Sequence, residues 1–413
     1  MQVEYERCCG IDVHKETVVA CLIVPDAQGH PVKETRTFST MTGDLQALGR
    51  WLAEQGCTHV VMESTGVYWK PVYNLLERQF ALLVVNPTSI KKLRGPKTDV
   101  ADAEWLADLL RHGLVRGSFI PSAEQRALRD LTRYRTQLLD ERTREVNRVQ
   151  KVLEDANIKL ASVATDIMGV SGRAILQELL EGEGEPALLA ELAKGRLRNK
   201  RALLEQALTG KVQAHHRFLL VQHLSHIDYL DEQIAQLDSE VAERMRPFEA
   251  ALASWEQLPG IRQRNAQVIV AELGADLQQF PDAEHCASWA AICPGTNESA
   301  GKRHSGKTAK GNRWLKRALT EAAHGAARTK KSYYAALYHR LAGRRGKKRA
   351  IIAVAHSLLV TGYHLVTQGV DYQDLGRDYF DKRNQETIKR RAVKRLEQLG
   401  YQVDLTPVPA LAG

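Results

Sequence analysis

No stretch of this 413-residue sequence approaches the roughly eighteen uninterrupted apolar residues that a membrane span needs. Met1 is followed by Gln-Val-Glu-Tyr-Glu, without the basic and then apolar stretch of a secretory signal. A cytoplasmic protein of bacterial type is therefore expected. Cysteine is scarce, and Cys8, Cys9, Cys21, Cys57, Cys286 and Cys293 show neither paired metal-ligand spacing nor the density of a secreted disulfide scaffold. They are expected to be reduced and buried. Internal repeats and low-complexity tracts are absent. Acids are almost missing from residues 302–350, where sixteen Lys and Arg meet the single acid Glu321.

The remaining composition is that of an ordinary folded protein, with 44% apolar and 26% charged residues and a length sufficient for two or three domains. The net charge of +9 is therefore concentrated: residues 302–350 carry +15 and leave the rest of the chain net negative. A short charge run is usually a solvated helix face. Sixteen bases to one acid over some fifty residues points instead to a surface that binds a polyanion, nucleic acid above all.

Along the chain, residues 6–13 and 17–24 are short β-branched and apolar runs either side of a polar turn, which predicts a hairpin. A third strand is expected at Thr35–Ser39, then an amphipathic helix over 43–55, a buried strand at 59–62, a helix over 69–79, a strand at 81–85 and a helix over 100–112. Three strands followed by helix-crossover strands give an α/β domain with a mixed sheet of the ribonuclease-H type over 1–120. From 122 to 157 the pattern becomes one long helix, and a second spans 212–244. They predict an antiparallel pair or a dimerising coiled coil over 121–248, with a small helical insert at 169–210. Residues 249–370 read as an all-α domain opened by a helix-hairpin-helix-like element at Leu258-Pro259-Gly260-Ile261, with helices over 312–328 and 347–368. A charged tail, helical near its end, completes the chain at 371–413.

Four acids have a placement that calls for explanation. Asp12 lies inside an apolar strand between Ile11 and Val13, Glu63 at the end of Val-Val-Met, and Asp99 and Asp102 one turn apart at a helix entrance. An Asp at a helix start is favoured in any case as a cap. An unpaired carboxylate inside a strand is not, because its burial costs several kcal/mol. Converging hard oxygen donors would bind Mg²⁺ or Mn²⁺ and clamp a phosphodiester between them. Asp108, Glu104 and Glu16 are rivals on less convergent positions.

In the C-terminal half, residues 293–307 form a small-residue loop in a positive field that holds Ser299 and Ser305. A serine becomes a phosphoryl nucleophile only where cations stabilise the phosphate and a base removes the proton. Lys302, Arg303 and Lys307 are placed to do the first, although such loops also merely grip phosphates. Lys310, Arg313, Lys316, Arg317, Arg344, Arg345, Lys347, Lys348 and Arg349 are expected on the nucleic-acid face, as are Arg126, Arg129 and Arg133 on the long helix. Trp314, Tyr333, Tyr334 and Tyr338 are available for stacking or for the core. His215, His216, His223 and His226 read as solvated or interface residues rather than metal ligands.

Together, Gly10-Ile11-Asp12-Val13-His14-Lys15, Met62-Glu63-Ser64-Thr65-Gly66, Asn86-Pro87, Lys97-Thr98-Asp99 with Asp102-Ala103, Leu258-Pro259-Gly260-Ile261, and Asn297-Glu298-Ser299-Ala300-Gly301-Lys302 with Gly311-Asn312 resemble the motifs of the DEDD transposases of the insertion-sequence one-ten family, in particular its eleven-eleven branch. The resemblance runs over nearly the whole chain. It implies a RuvC-like domain whose four acids are Asp12, Glu63, Asp99 and Asp102, and a transposase domain whose nucleophile is Ser299. It also implies a covalent phosphoserine link to donor and target DNA, a noncoding bridge or seeker RNA as guide, composite sites shared between subunits of a dimer or tetramer, and a place at the nucleoid. Where other branches carry Gly after the nucleophile this chain has Ala300, which keeps Ser305 as a rival. Two further readings stand beside this one: a RuvC-like junction nuclease that uses a metal-activated water, and a non-enzymatic nucleic-acid scaffold.

Overall fold

A computed structural model describes residues 2–64, 66–86, 98–182, 184–293, 297–299, 302–305, 308 and 311–406. The chain divides into two compact units, Met1–Ala123 and Glu124–Gly413.

In the first unit, β1 (Cys8–Val13) and β2 (Thr17–Pro25) form the expected hairpin, and β3 (Pro31–Ser39) adds antiparallel to β2. The third strand starts four residues before its apolar signal, because it is a largely exposed edge strand and edge strands carry polar residues. The helix α1 (Thr42–Glu54) crosses to β4 (His59–Glu63), parallel to β1, and α2 (Trp69–Leu76) crosses to β5 (Ala81–Val85), parallel to β4. The sheet order is β3-β2-β1-β4-β5, with α3 (Asp99–Arg111) following β5 in the chain.

The central strands are covered on both faces, which is why they read as near-continuous apolar runs. Cys9, Ile11 and Met62 pack with Leu48, Trp51 and Leu76 on one side. Cys8, Val61 and Val85 pack with Ala103, Leu106 and Ala107 on the other. Gly10 sets how closely α3 approaches the sheet: a Cβ there would fall 2.3 Å from the Ala103 carbonyl and 2.4 Å from the Ala107 amide. Only glycine lets the helix lie directly on β1.

The second unit opens with α4 (Ala123–Asp155). The small insert comprises α5 (Leu160–Val163), α6 (Val170–Glu181), α7 (Pro186–Glu191), a 3-10 turn at Gly195–Lys200 and α8 (Arg201–Leu208), with a core of its own. The long α9 (Ala214–Met245) then returns antiparallel to α4. Leu138 packs with Leu230 and Ile234, Arg135 Nη1 reaches Asp238 at 2.9 Å, and Arg142 Nε reaches Asp231 at 2.5 Å. The two long helices thus pair within the chain.

The C-terminal bundle holds α10 (Glu249–Glu256), α11 (Gln263–Leu273), α12 (Ala283–Trp289), β6 (Asn297–Ser299), β7 (Lys302–Ser305), α13 (Arg313–Arg328), α14 (Tyr333–Arg345) and α15 (Lys347–Gln368). The short α16 (Tyr379–Arg383) and α17 (Gln385–Gln398) occupy the tail. The turn at 258–261 joins α10 to α11, and Gly260, at φ 86°, lies against α13, where a Cβ would fall 2.1 Å from the Ala322 carbonyl. Its glycine serves helix packing. By length and apolar composition α15 would suffice to cross a bilayer; half of it is buried in this bundle. The sequence pattern did not point to α14, whose only fully buried residue is Tyr334 and which therefore has no apolar stripe.

Candidate functional site

The first-unit acids are placed at the end of the sheet where β1 and β4 stop, and of their carboxylates those of Asp12 and Asp99 meet at His14. The parallel register pairs Cys8 with His59 and Ile11 with Met62, and one further step sets Asp12 beside Glu63. Both alternate onto the face turned to α3. Thr98 caps that helix, its Oγ1 accepting from Ala101 N at 3.2 Å and its carbonyl from Asp102 N at 2.7 Å. The cap places Asp99 and Asp102 in the first turn, and the Gly10 contact brings that turn down onto β1.

His14, two residues past Asp12, completes the group. Its Nε2 lies 3.1 Å from Asp12 Oδ2 and 3.3 Å from Asp99 Oδ1. The ligand atoms of Asp12, His14 and Asp99 all lie within 4.8 Å of one another. Burial pushes the Asp12 carboxyl up from its ordinary value; the Asp99 and Asp102 carboxylates push in the same direction, and His14 works against them. Negative charge therefore gathers at Asp12, Asp99 and Asp102, and these donors are hard oxygens. That chemistry fits a divalent cation.

The rival acids are placed elsewhere. Asp108 is ion-paired with Lys33 at 2.5 Å, and Glu104 lies near Cys21 and Lys33. Glu16 is exposed in the β1–β2 turn. Sequence reasoning missed His14; its signal was the spacing of two from Asp12, which puts both side chains on one face of extended backbone.

In the second unit Ser299 and Ser305 belong to an antiparallel hairpin rather than a plain loop, with Ser299 opposite Lys302 and Asn297 opposite Ser305. Lys302 and Arg303 lie on β7, whereas Lys307 and Lys310 lie outside the described residues. Further along the chain, Asn312 belongs to a firm anchor. Glu272, fully buried on α11, accepts from Arg133 Nε at 2.6 Å and Nη2 at 2.7 Å, and from Asn312 Nδ2 at 2.6 Å. Asn312 Oδ1 in turn caps α13 by accepting from Trp314 N and Leu315 N.

Several expected nucleic-acid contacts have internal partners instead. Arg129 donates to the Ala271 and Glu272 carbonyls and Arg133 to the Glu272 carboxylate, so both guanidiniums tie α4 to α11. Arg126 is half-buried on the same helix. Arg317 bonds Asp140 at 2.6 Å and Glu321 at 2.8 Å, Lys316 donates to Thr308 Oγ1, and Arg313 lies over the Trp314 ring. Arg344, Arg345, Lys347, Lys348 and Arg349 are exposed around the bend at Gly346. Of the aromatics, Tyr334 is buried and bonded to Thr361, and Tyr333 stacks on Phe380, so these two are core rather than stacking platforms. Tyr338 is half-buried against the same core.

Of the α9 histidines, His215 and His226 are exposed as expected and His223 is half-buried, whereas His216 departs from expectation. His216 is buried, its Nδ1 accepting from Gln213 N at 3.1 Å and its Nε2 donating to Asp155 at 2.8 Å. It borders, with His215, a cavity of about 600 Å³. Both ring nitrogens are used, so His216 is a helix-capping residue and not a free ligand. The six cysteines are unpaired, five buried and Cys293 half-buried.

A mixed five-stranded sheet in this order, with acids closing β1, β4 and the start of the next helix, followed by a helical region, defines a RuvC-like enzyme of the DEDD transposase class. Residues 9–158 match the DEDD family described as "Transposase", and residues 253–339 match the "Transposase IS116/IS110/IS902 family". A "Probable family 20 transposase" of Pseudomonas aeruginosa is 24% identical over 273 residues, 65% of this chain and 71% of its own length. An "Insertion element IS110 uncharacterized 43.6 kDa protein" of Streptomyces coelicolor is 28% identical over 243 residues, 54% of this chain and 59% of its own length. This chain belongs to the IS110 family of transposases.

Proposed function

We propose that the protein cuts and rejoins DNA for an insertion sequence through a covalent phosphoserine intermediate on Ser299. The placement of Asp12 beside Glu63 on the β1–β4 pair, with Asp99 and Asp102 in the first turn of α3, carries the reading. Mg²⁺ or Mn²⁺ bound there would polarise the phosphate and favour the ionised hydroxyl. The four carboxylates would hold that charge in place, and Lys302, Arg303 and Lys307 would offer positive charge to the phosphate oxygens. As the Ser299 Oγ–phosphorus bond forms, one bridging phosphorus–oxygen bond breaks. The serine proton leaves to solvent and the released DNA oxygen takes one up. Attack by a DNA hydroxyl on the phosphoserine reverses the exchange and frees the serine, so no external energy source is needed.

Family membership supports DNA as the substrate, and the exposed Arg344–Arg349 run suits its backbone. A noncoding guide RNA, pairing with donor and target DNA, and an oligomer with composite sites complete the proposal. Ser299→Ala is expected to abolish the protein–DNA adduct detected by denaturing electrophoresis on labelled DNA, while Ser305→Ala retains it. The opposite pattern would move the nucleophile to Ser305. Cleavage that leaves DNA free of protein in both variants would instead indicate a hydrolytic junction nuclease.

A further inference from the structure

The cation site has a member that the four-carboxylate description leaves out. We propose that His14 Nε2 is a direct ligand of the bound cation, so that the site presents a nitrogen donor beside its oxygens. This rests on the cation reading above.

The spacing is the first argument. In an octahedral shell with bonds of about 2.1 Å, neighbouring ligand atoms lie roughly 3 Å apart. His14 Nε2 stands 3.1 Å from Asp12 Oδ2 and 3.3 Å from Asp99 Oδ1. Those separations suit three donors around one ion after small adjustments.

The second argument concerns the ring's other nitrogen. A ligating imidazole must offer a lone pair at Nε2 and carry its proton on Nδ1. At His216 this is blocked, because Nδ1 accepts from the Gln213 amide. At His14 the contacts with Asp12 and Asp99 engage Nε2, and among the described residues nothing holds Nδ1. The ring is about half exposed, so water can take the Nε2 proton and return one to Nδ1. Without the cation, Nε2–H bridges the two carboxylates; with it, the lone pair takes the same position.

A nitrogen donor has a chemical consequence. Mg²⁺ favours all-oxygen shells, whereas imidazole strengthens binding of transition ions. The site is therefore expected to prefer Mn²⁺ to Mg²⁺, and His14 is the source of the difference.

The test uses the full-length protein loaded with Mn²⁺ and pulsed electron paramagnetic resonance, which detects a nitrogen nucleus bonded to the ion. Nitrogen modulation of first-sphere strength is expected in the native protein and absent in His14→Ala. By calorimetry the variant should bind Mn²⁺ at least about tenfold more weakly, with a smaller change for Mg²⁺. Circular dichroism should be unchanged, since His14 lies in an exposed turn. Mn²⁺ bound stoichiometrically with oxygen-only ligation, or modulation that survives in His14→Ala, overturns the assignment and leaves the carboxylate site standing. No bound Mn²⁺, or binding indifferent to Asp12→Asn, overturns both.

Discussion

Two acids in this chain, Glu272 and Asp12, differ in what surrounds them. Glu272 is fully buried, yet Arg133 grips both its oxygens and Asn312 adds a further donor, so its charge is met within the fold. Asp12 is half-buried beside Asp99 and Asp102; burial first, and then these two carboxylates, push its carboxyl up against the opposing pull of His14. A buried acid whose charge is answered by the protein is part of the scaffold. A cluster of carboxylates that oppose one another's ionisation suits a bound cation.

The comparison can be broken at several points. Asp12→Asn should reduce strand transfer by at least about 10³-fold, since a metal's charge stabilisation is worth several kcal/mol, and should leave the fold intact; gel assays of product DNA together with circular dichroism would check it. Glu272→Ala should do the reverse in kind. Removing one partner of a buried pair destabilises by about 3 to 5 kcal/mol, read as a lowered urea midpoint, while cation binding is retained. Gly10→Ala tests how the acidic cluster is assembled. The added methyl meets the backbone of α3, and overpacking of this type costs about 1 to 3 kcal/mol; the helix start should shift away from β1 and weaken Mn²⁺ binding more than it lowers the melting temperature.

Glu145 gives the smallest effect and sharpens the contrast. Burial opposes its ionisation, but the bond from His223 Nδ1, together with Arg148 and His226, outweighs that and holds its carboxyl below the usual glutamate range. The native state then binds fewer protons than the unfolded one. Its stabilisation is complete above the ordinary value of about 4.3 and is lost as pH falls through the depressed one. In Glu145→Gln the acid limb of the stability profile should flatten, as followed by thermal melts at stepped pH.

Much of the first unit was legible from its residues. Strand alternation and the crossover order place Asp12 next to Glu63, because parallel register and period-two geometry leave few alternatives. His14 was overlooked because its one signal, the spacing of two from Asp12, runs past the end of the apolar strand into a polar turn. Arg129 and Arg133 looked like a basic face because sequence spacing shows which side of a helix they share, not that Glu272 from α11 meets them there. Likewise Tyr333 and Tyr334 are core only because Phe380 and Thr361 come from distant parts of the chain. The serine hairpin was hidden by its brevity: three and four residues are too few for alternation to stand out.

The most direct measurement is a calorimetric titration of the full-length protein with Mn²⁺, run in parallel on Asp12→Asn. The account predicts saturable binding in the native chain and none in the variant, with both folded. Equal binding in the two would contradict it.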